Sequence, residues 1–212
     1  AIFIDTVHRR STSAQYPGFK EICCNPCLTH DTLVYVADGR GMVKIGDLAK
    51  DGNDVNVFCI NNKNNLSIRK MRHPRLTGTK EKIYKINLDD GSSIRCTANH
   101  KLLLNNGQYV EAQNLQNGDS LFLITRFEAS IKDIFPKSTS NSQDYYWLQT
   151  GYRKTKKAEH RLIAEHTSGK IEKHHVVHHI DHNGKNNSPE NLEVMTTKDH
   201  DILHCQNMFG DK

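Results

Sequence analysis

Histidine supplies the first chemistry this chain offers. His178 and His179 are adjacent, Asn191 follows a polar loop, and His200 and His204 close the run. Residues four apart share one face of a helix, so His200 and His204 stand side by side. Two such imidazoles can hold one metal ion, with His178 or His179 completing the set from a preceding strand. Imidazole also titrates near neutral pH, so the same run can provide a general base.

These side chains need a strand–strand–helix scaffold to converge. Val176, Val177 and Ile180 mark His174–Ile180 as a strand, and Leu192–Met195 reads as a second. Thr196 and Asp199 form a capping box that opens the helix bearing His200 and His204. Upstream, Tyr145–Tyr152 reads as a strand. Lys157–His166 reads as a helix that Gly169 stops. From Cys27 to Ile124 the signals are β throughout. Short runs at Thr32–Val36, Val55–Ile60, Ile83–Leu88, Ser92–Cys96 and Leu121–Ile124 alternate with turns at Asp90-Gly91, Asn106-Gly107 and Asn117-Gly118. Strands so spaced predict a compact, strongly curved all-β domain. The expected organisation is a flank over 1–26, an all-β domain over 27–124, a polar linker over 125–142 and a small α+β domain over 143–212. The flank is too short to fold alone.

At 212 residues, 36% apolar and 25% charged, the chain can fill modest cores but not one large one. A net charge of +5 decides nothing about partners by itself. The histidines say more, since nine of the thirteen lie beyond residue 125. Among the six cysteines, Cys23, Cys24 and Cys27 crowd together and Cys59, Cys96 and Cys205 are scattered, which does not read as a secreted disulfide framework. No signal peptide or membrane-length apolar run is visible, so a reducing cytoplasm and no membrane partner are expected. Cys59 and Cys96 are expected in the core. The chain starts without Met, so Ala1 is expected to be internal to a longer product.

The pattern over residues 143–208 resembles the HNH endonucleases, which fold as a ββα-metal finger. The matching residues are His178-His179, Asn191 in E-N-L-E-V, and His200 and His204 on the helix. E-H-R-L-I-A-E-H at 159–166 and the loop N-G-K-N-N resemble the homing members of that family. The resemblance implies hydrolysis of DNA phosphodiesters with a divalent metal: His179 as base, Asn191 holding its ring through a hydrogen bond to local backbone, and His178, His200 and His204 as ligands. Many relatives carry Asp at the position of His178 and Asn at that of His200. Histidine at both favours zinc, nickel or manganese over magnesium alone. Arg153, Lys154, Lys156, Lys157 and Arg161 are candidates for phosphate contacts. His174, His175 and His182 match no motif position and are expected at the surface or near DNA.

Residues 27–124 resemble the N-terminal splicing region of an intein, a Hint fold. The resemblance rests on C-L-T-H-D-T at 27–32, V-K-I-G-D-L at 43–48, I-R-C-T-A-N-H-K-L-L at 94–103 and Y-V-E-A-Q-N-L-Q-N-G-D-S-L at 109–121. It implies that the Cys27 thiol attacks the Pro26 carbonyl to give a thioester. Thr97 would provide or position a hydrogen-bond donor, and His100 would protonate the leaving amine of Cys27. Residues 205–212 lack the His-Asn-Cys ending of a complete intein, so a C-terminal half is expected in cis or in trans. I-F-I-D-T-V-H-R at 2–9 and G-F-K-E-I-C-C-N-P-C at 18–27 resemble the large subunit of ribonucleotide reductase, as an interrupted host would. Double-stranded DNA lacking the insert is then the expected nuclease target. Two other readings compete: a toxin tail joining Hint processing to a nuclease without site preference, and a non-catalytic zinc-binding DNA module.

Overall fold

The computed structural model describes residues 27–61, 65–79, 81–137, 143–150 and 156–208. The reductase-like flank with Pro26, and Arg153 and Lys154, lie outside the described residues. The elements run β1 (Leu33–Val36), β2 (Gly41–Lys44), α1 (Ile45–Asp51), β3 (Val55–Ile60), β4 (Leu66–Met71), β5 (Ile83–Asn87), β6 (Ser93–Thr97), β7 (Lys101–Leu103) and β8 (Tyr109–Glu111). They continue with β9 (Ile124–Ser130), α2 (Ile131–Ile134), β10 (Asp144–Thr150), β11 (Lys156–Ala158), α3 (Glu159–Ser168), β12 (His175–His179), β13 (Leu192–Thr196) and α4 (Thr197–Met208). The first part is mainly β, as its turn spacing predicts. Among the described residues, no helix is long and apolar enough to cross a membrane.

One antiparallel sheet runs β2-β1-β3-β4, and β5–β6 and β7–β8 form separate hairpins. Their turns use glycine where the backbone is left-handed, with φ of 81° at Gly91 and 87° at Gly107. Helix α1 departs from the all-β expectation. It buries Leu48 and ends on a left-handed Gly52 whose N–H bonds to the Leu48 carbonyl. Its seven residues are too few for a helical period to stand out from the surrounding strands. Cys59 and Cys96 are buried, as expected.

The linker expected over 125–142 is corrected by the structure. Its first residues belong to β9, which pairs with β10 over seven positions from Asp144↔Ser130 to Thr150↔Ile124. Thr-Arg-Phe-Glu-Ala-Ser looks polar, but it alternates as a strand does. Arg126 projects to Glu159 at the start of α3, with Nε–Oε2 at 2.6 Å and Nη2–Oε1 at 3.1 Å. The guanidinium also lies 3.4 Å from the centre of the Tyr146 ring. A charged residue in this strand is thus matched by a buried partner that lies far along the chain.

That strand joins the two parts of the molecule. A single apolar cluster takes Tyr35, Phe58, Leu66 and Ile68 from the first sheet, Phe122, Ile124 and Leu148 from the connecting region, and Leu162 and Ile163 from α3. The boundary drawn between domains therefore runs through packed core rather than exposed chain.

Two candidate active sites

Strands β12 and β13 pair from His175↔Thr196 to His179↔Leu192 and carry the histidine pair. Alternation along β12 sends His178 and His179 to opposite faces, and both are buried. Thr196 Oγ1 accepts from the Asp199 N–H at 3.1 Å and donates to its carboxylate at 2.6 Å, which starts α4 where the sequence places it.

On one face, ligand nitrogens of His178, His182 and His204 lie within 4.8 Å of one another. His200 joins the cluster through a 3.2 Å contact between its Nε2 and that of His204. The structure thus brings together all three expected ligands and adds His182, for which the sequence suggested only a peripheral role. His182 reaches the cluster through a turn in which its N–H bonds to the His179 carbonyl at 2.9 Å. Its φ is +59°, a left-handed conformation uncommon outside glycine and tolerated better by His, Asn and Asp. The signal for this residue was the turn I-D-H-N-G immediately after the strand. Burial, followed by the neighbouring imidazoles of His200, His182 and His204, lowers the pKa of His178, which favours the neutral ring that a metal ion needs.

On the other face, His179 Nε2 lies 3.0 Å from Asn187 Oδ1. With Asn187 Oδ1 as the acceptor, the matching tautomer is the one in which Nε2 carries the proton and Nδ1 keeps its lone pair. Burial lowers the His179 pKa, and the Asn187 bond opposes that shift. The His160 ring lies 5.1 Å from that of His179, and Tyr145 lies 5.0 Å from His160. Burial, then the charges of His179 and Arg161, push His160 down to about 3.

Asn191 makes the expected bonds to local backbone, while the direct contact to the His179 ring comes from Asn187. Asn191 Oδ1 accepts from Asp181 N at 3.0 Å, and its Nδ2 donates to Asp181 Oδ1 at 2.9 Å and to the Asn186 carbonyl at 2.8 Å. Asn191 therefore ties loop 181–186 together, and Asn187, buried to 1% exposure, holds the His179 ring. Hydrogen bonds from Asn186, the Asn183 N–H and Asn191 hold the Asp181 carboxyl at about 2. Of the basic candidates, Lys156 and Lys157 are exposed on β11. Lys157 and Arg161 both face Glu165, at 4.0 and 3.7 Å.

The second site lies at Cys27. Residues 27–29 run alongside β6, with Thr97 N–H bonding to the Cys27 carbonyl at 2.9 Å and Thr29 N–H to that of Arg95 at 3.1 Å. The Cys27 N–H donates to Thr97 Oγ1 at 2.9 Å, and that hydroxyl donates onward to Asn99 Oδ1 at 2.8 Å. Thr97 thus holds the nitrogen of the Pro26–Cys27 bond, as an acceptor. His100 is 2% exposed, and among the described residues neither ring nitrogen has a hydrogen-bond partner. Sequence reading missed Thr77, whose Oγ1 lies 2.9 Å from Cys27 Sγ. Nothing in its loop, R-L-T-G-T, marks it. Thr77→Val should slow thiol-induced cleavage at Cys27 about 5-fold, the worth of roughly 1 kcal/mol of hydrogen bond, as read by gel densitometry over time.

Burial pushes His100 down to about 4 from an ordinary 6.5. The unfolded chain therefore takes up a proton below pH 6.5 that the folded chain refuses until about pH 4. Stability is full above pH 6.5 and falls as the pH drops through that window, by roughly 2 kcal/mol at pH 5. Urea unfolding at pH 7.5 and 5.0 should show a loss larger than this, because buried His160 adds its own, and His100→Gln should reduce it by roughly 2 kcal/mol. An unchanged slope in His100→Gln would contradict the assignment.

Residues 157–202 match the family model described as HNH endonuclease. A DNA gyrase subunit of Synechocystis sp. is 30% identical over 186 residues, covering 84% of this chain and 17% of that protein. DNA topoisomerase 1 of Pyrococcus furiosus is 29% identical over 133 residues, 59% of this chain and 12% of that protein. The replicative DNA helicase DnaB of Rhodothermus marinus is 34% identical over 111 residues, 52% of this chain and 11% of that protein. The chain thus spans about a sixth or less of the length of these relatives. Among solved structures, a DnaB intein from Synechocystis sp. aligns at 20% identity with a TM-score of 0.41, covering 63% of this chain and 94% of that one. A mutant of an Ssp DnaB mini-intein variant aligns at 21% identity with a TM-score of 0.43 over the same shares.

Proposed function

We propose that the chain is part of an intein that carries an HNH homing endonuclease, with a self-cleaving junction at Pro26–Cys27 and a metal-assisted DNA-cleaving centre at His179. The observation that carries the nuclease reading is the convergence of His178, His182 and His204 on one face of β12 while Asn187 fixes the His179 ring on the other. The three imidazoles, with His200 beside them, suit a divalent cation; an all-nitrogen set favours zinc, nickel or manganese over magnesium. Such an ion, when bound, supplies Lewis-acid stabilisation of the phosphodiester and its leaving 3′ oxygen. The protein's own part is proton transfer. His179 Nδ1 takes the proton of the attacking water, while Asn187 keeps the ring in the tautomer that leaves Nδ1 open. Asn191 holds the loop that supplies both Asn187 and His182. Lys156, Lys157 and Arg161, with Arg153 and Lys154, would bear on phosphates of double-stranded DNA lacking the insert.

Purified protein incubated with a plasmid bearing that uninterrupted gene should nick or cut it when zinc, nickel, manganese or magnesium is added, and stop with chelator. No cleavage with any of these ions would sink the nuclease reading.

The self-cleaving reading rests on the hydrogen bond from Cys27 N–H to Thr97. The Cys27 sulfur attacks the Pro26 carbonyl carbon, a thioester C–S bond forms, and the C–N bond breaks. The thiol loses the proton that the amine gains, so the step is neutral overall. Thr97 holds the nitrogen that must become that amine, Thr77 holds the sulfur, and His100 relays the proton, one ring nitrogen giving its hydrogen to the amine as the other takes up the one the thiol loses. The flank over 1–26 is the remnant of a ribonucleotide reductase large subunit, and the C-terminal intein half would act in cis or in trans.

A further inference from the structure

Loop 181–188, which supplies His182, Asn187 and the anchors of Asn191, is braced at two points. Gly184 packs so closely on β10 that an added Cβ would come within 2.8 Å of the Asp144 carbonyl and 2.9 Å of the Tyr145 ring. Lys185 pairs with Glu128 of β9. The other brace comes from the far end of the sequence. Gly39, in the turn between β1 and β2, lies against Ser188, and a Cβ there would strike Ser188 Oγ and come within 2.8 Å of its Cα and N. Two of those atoms are backbone, so no side-chain rotation relieves the contact.

Ser188 cannot move alone. Its N–H bonds to Asn186 Oδ1 at 3.3 Å, and its carbonyl accepts from Asn191 N at 2.9 Å. Its neighbour in the chain is Asn187, whose oxygen holds the His179 ring. Displacing Ser188 therefore displaces the group that fixes the base.

We propose that the β1–β2 turn of the splicing half is a positioning element of the nuclease centre: Gly39 seats against Ser188 and thereby sets Asn187 on His179. The proposal rests on the nuclease reading for its effect on DNA cleavage, and on geometry alone for its effect on the His179 ring. A shift on the scale of an ångström in a catalytic group costs on the order of 100-fold in rate.

The test compares Gly39→Ala with Gly41→Ala in the full chain. Both glycines have positive φ, 89° and 74°, so both substitutions carry backbone strain in the same hairpin. At Gly41 the added Cβ meets only the Arg126 side chain at an ordinary 3.6 Å or more. Nicking of the uninterrupted plasmid is followed at saturating DNA, together with DNA affinity and the His179 ring signals in a long-range proton–nitrogen correlation spectrum. Gly39→Ala should lose 10- to 100-fold in turnover at unchanged DNA affinity, and its His179 ring should leave the Nε2-protonated form. Gly41→Ala should stay within about 2-fold with the ring unchanged. Thiol-induced cleavage at Cys27 should persist in both, reporting an intact first half. If Gly39→Ala does not fold, Ser188→Val presses on the same contact from the other side and should give the same loss. Equal behaviour of the Gly39 and Gly41 variants, or a Gly39→Ala or Ser188→Val protein with a normal ring, overturns the proposal. If the wild type cuts no DNA, the nuclease reading fails, and the ring spectra still decide whether Gly39 positions His179.

Discussion

Replacing His179 by alanine should lower single-turnover DNA cleavage by a factor on the order of 10² to 10⁴, the usual contribution of a positioned general base. The two faces of β12 make the expectation specific. His179 lies opposite the cluster of His178, His182 and His204, so its removal should leave metal affinity within a few-fold of wild type. His178→Ala should weaken metal binding and reduce cleavage through it. Calorimetric metal titration alongside a quenched plasmid assay separates the two effects. If His179→Ala lost metal affinity in proportion to rate, or cut DNA normally, the division of roles across the strand would be wrong.

Glu159→Gln should lower the free energy of unfolding by about 3–5 kcal/mol, because it removes one partner of a buried ion pair and leaves the other uncompensated. Glu159 is 1% exposed and grips Arg126 at two points. Around them stand Tyr35 of β1 and Tyr146 of β10, so the pair sits where the first sheet, the connecting strand and α3 meet. Chemical denaturation followed by fluorescence of Trp147 and by circular dichroism should show one coincident, earlier transition. Two separate transitions in the wild type would contradict a shared core. Replacing both partners with apolar residues of similar volume should recover much of the loss.

The local elements were legible because their signals are local. The β12–β13–α4 unit follows from apolar alternation, one Thr-to-Asp cap and the four-residue spacing of His200 and His204. The hairpins follow from Asp90-Gly91 and Asn106-Gly107. The strand β9 was not legible, because Arg126 reads as solvent-seeking until Glu159, far along the chain, is placed against it. His182 was obscured for a related reason: a histidine in a left-handed turn carries no periodicity, and only the backbone path returns it to His178. Asn187 and Thr77 act through single side-chain contacts that no spacing encodes. For Asn191, the expected bonds to local backbone are there, at Asp181 and Asn186, but the side chain that touches the His179 ring is Asn187.

On the proposed reading the histidine cluster would serve a nuclease centre in the second part, and the junction at Cys27 would make the whole chain a self-excising insert. The measurement that tests this most directly is the intact mass of the protein after incubation with dithiothreitol at neutral pH. Wild type should separate into residues 1–26 carrying a dithiothreitol thioester at Pro26, and a 27–212 product beginning with Cys27. Cys27→Ala should remain whole under the same treatment. An unbroken wild-type chain, or the same release from Cys27→Ala, would contradict the account.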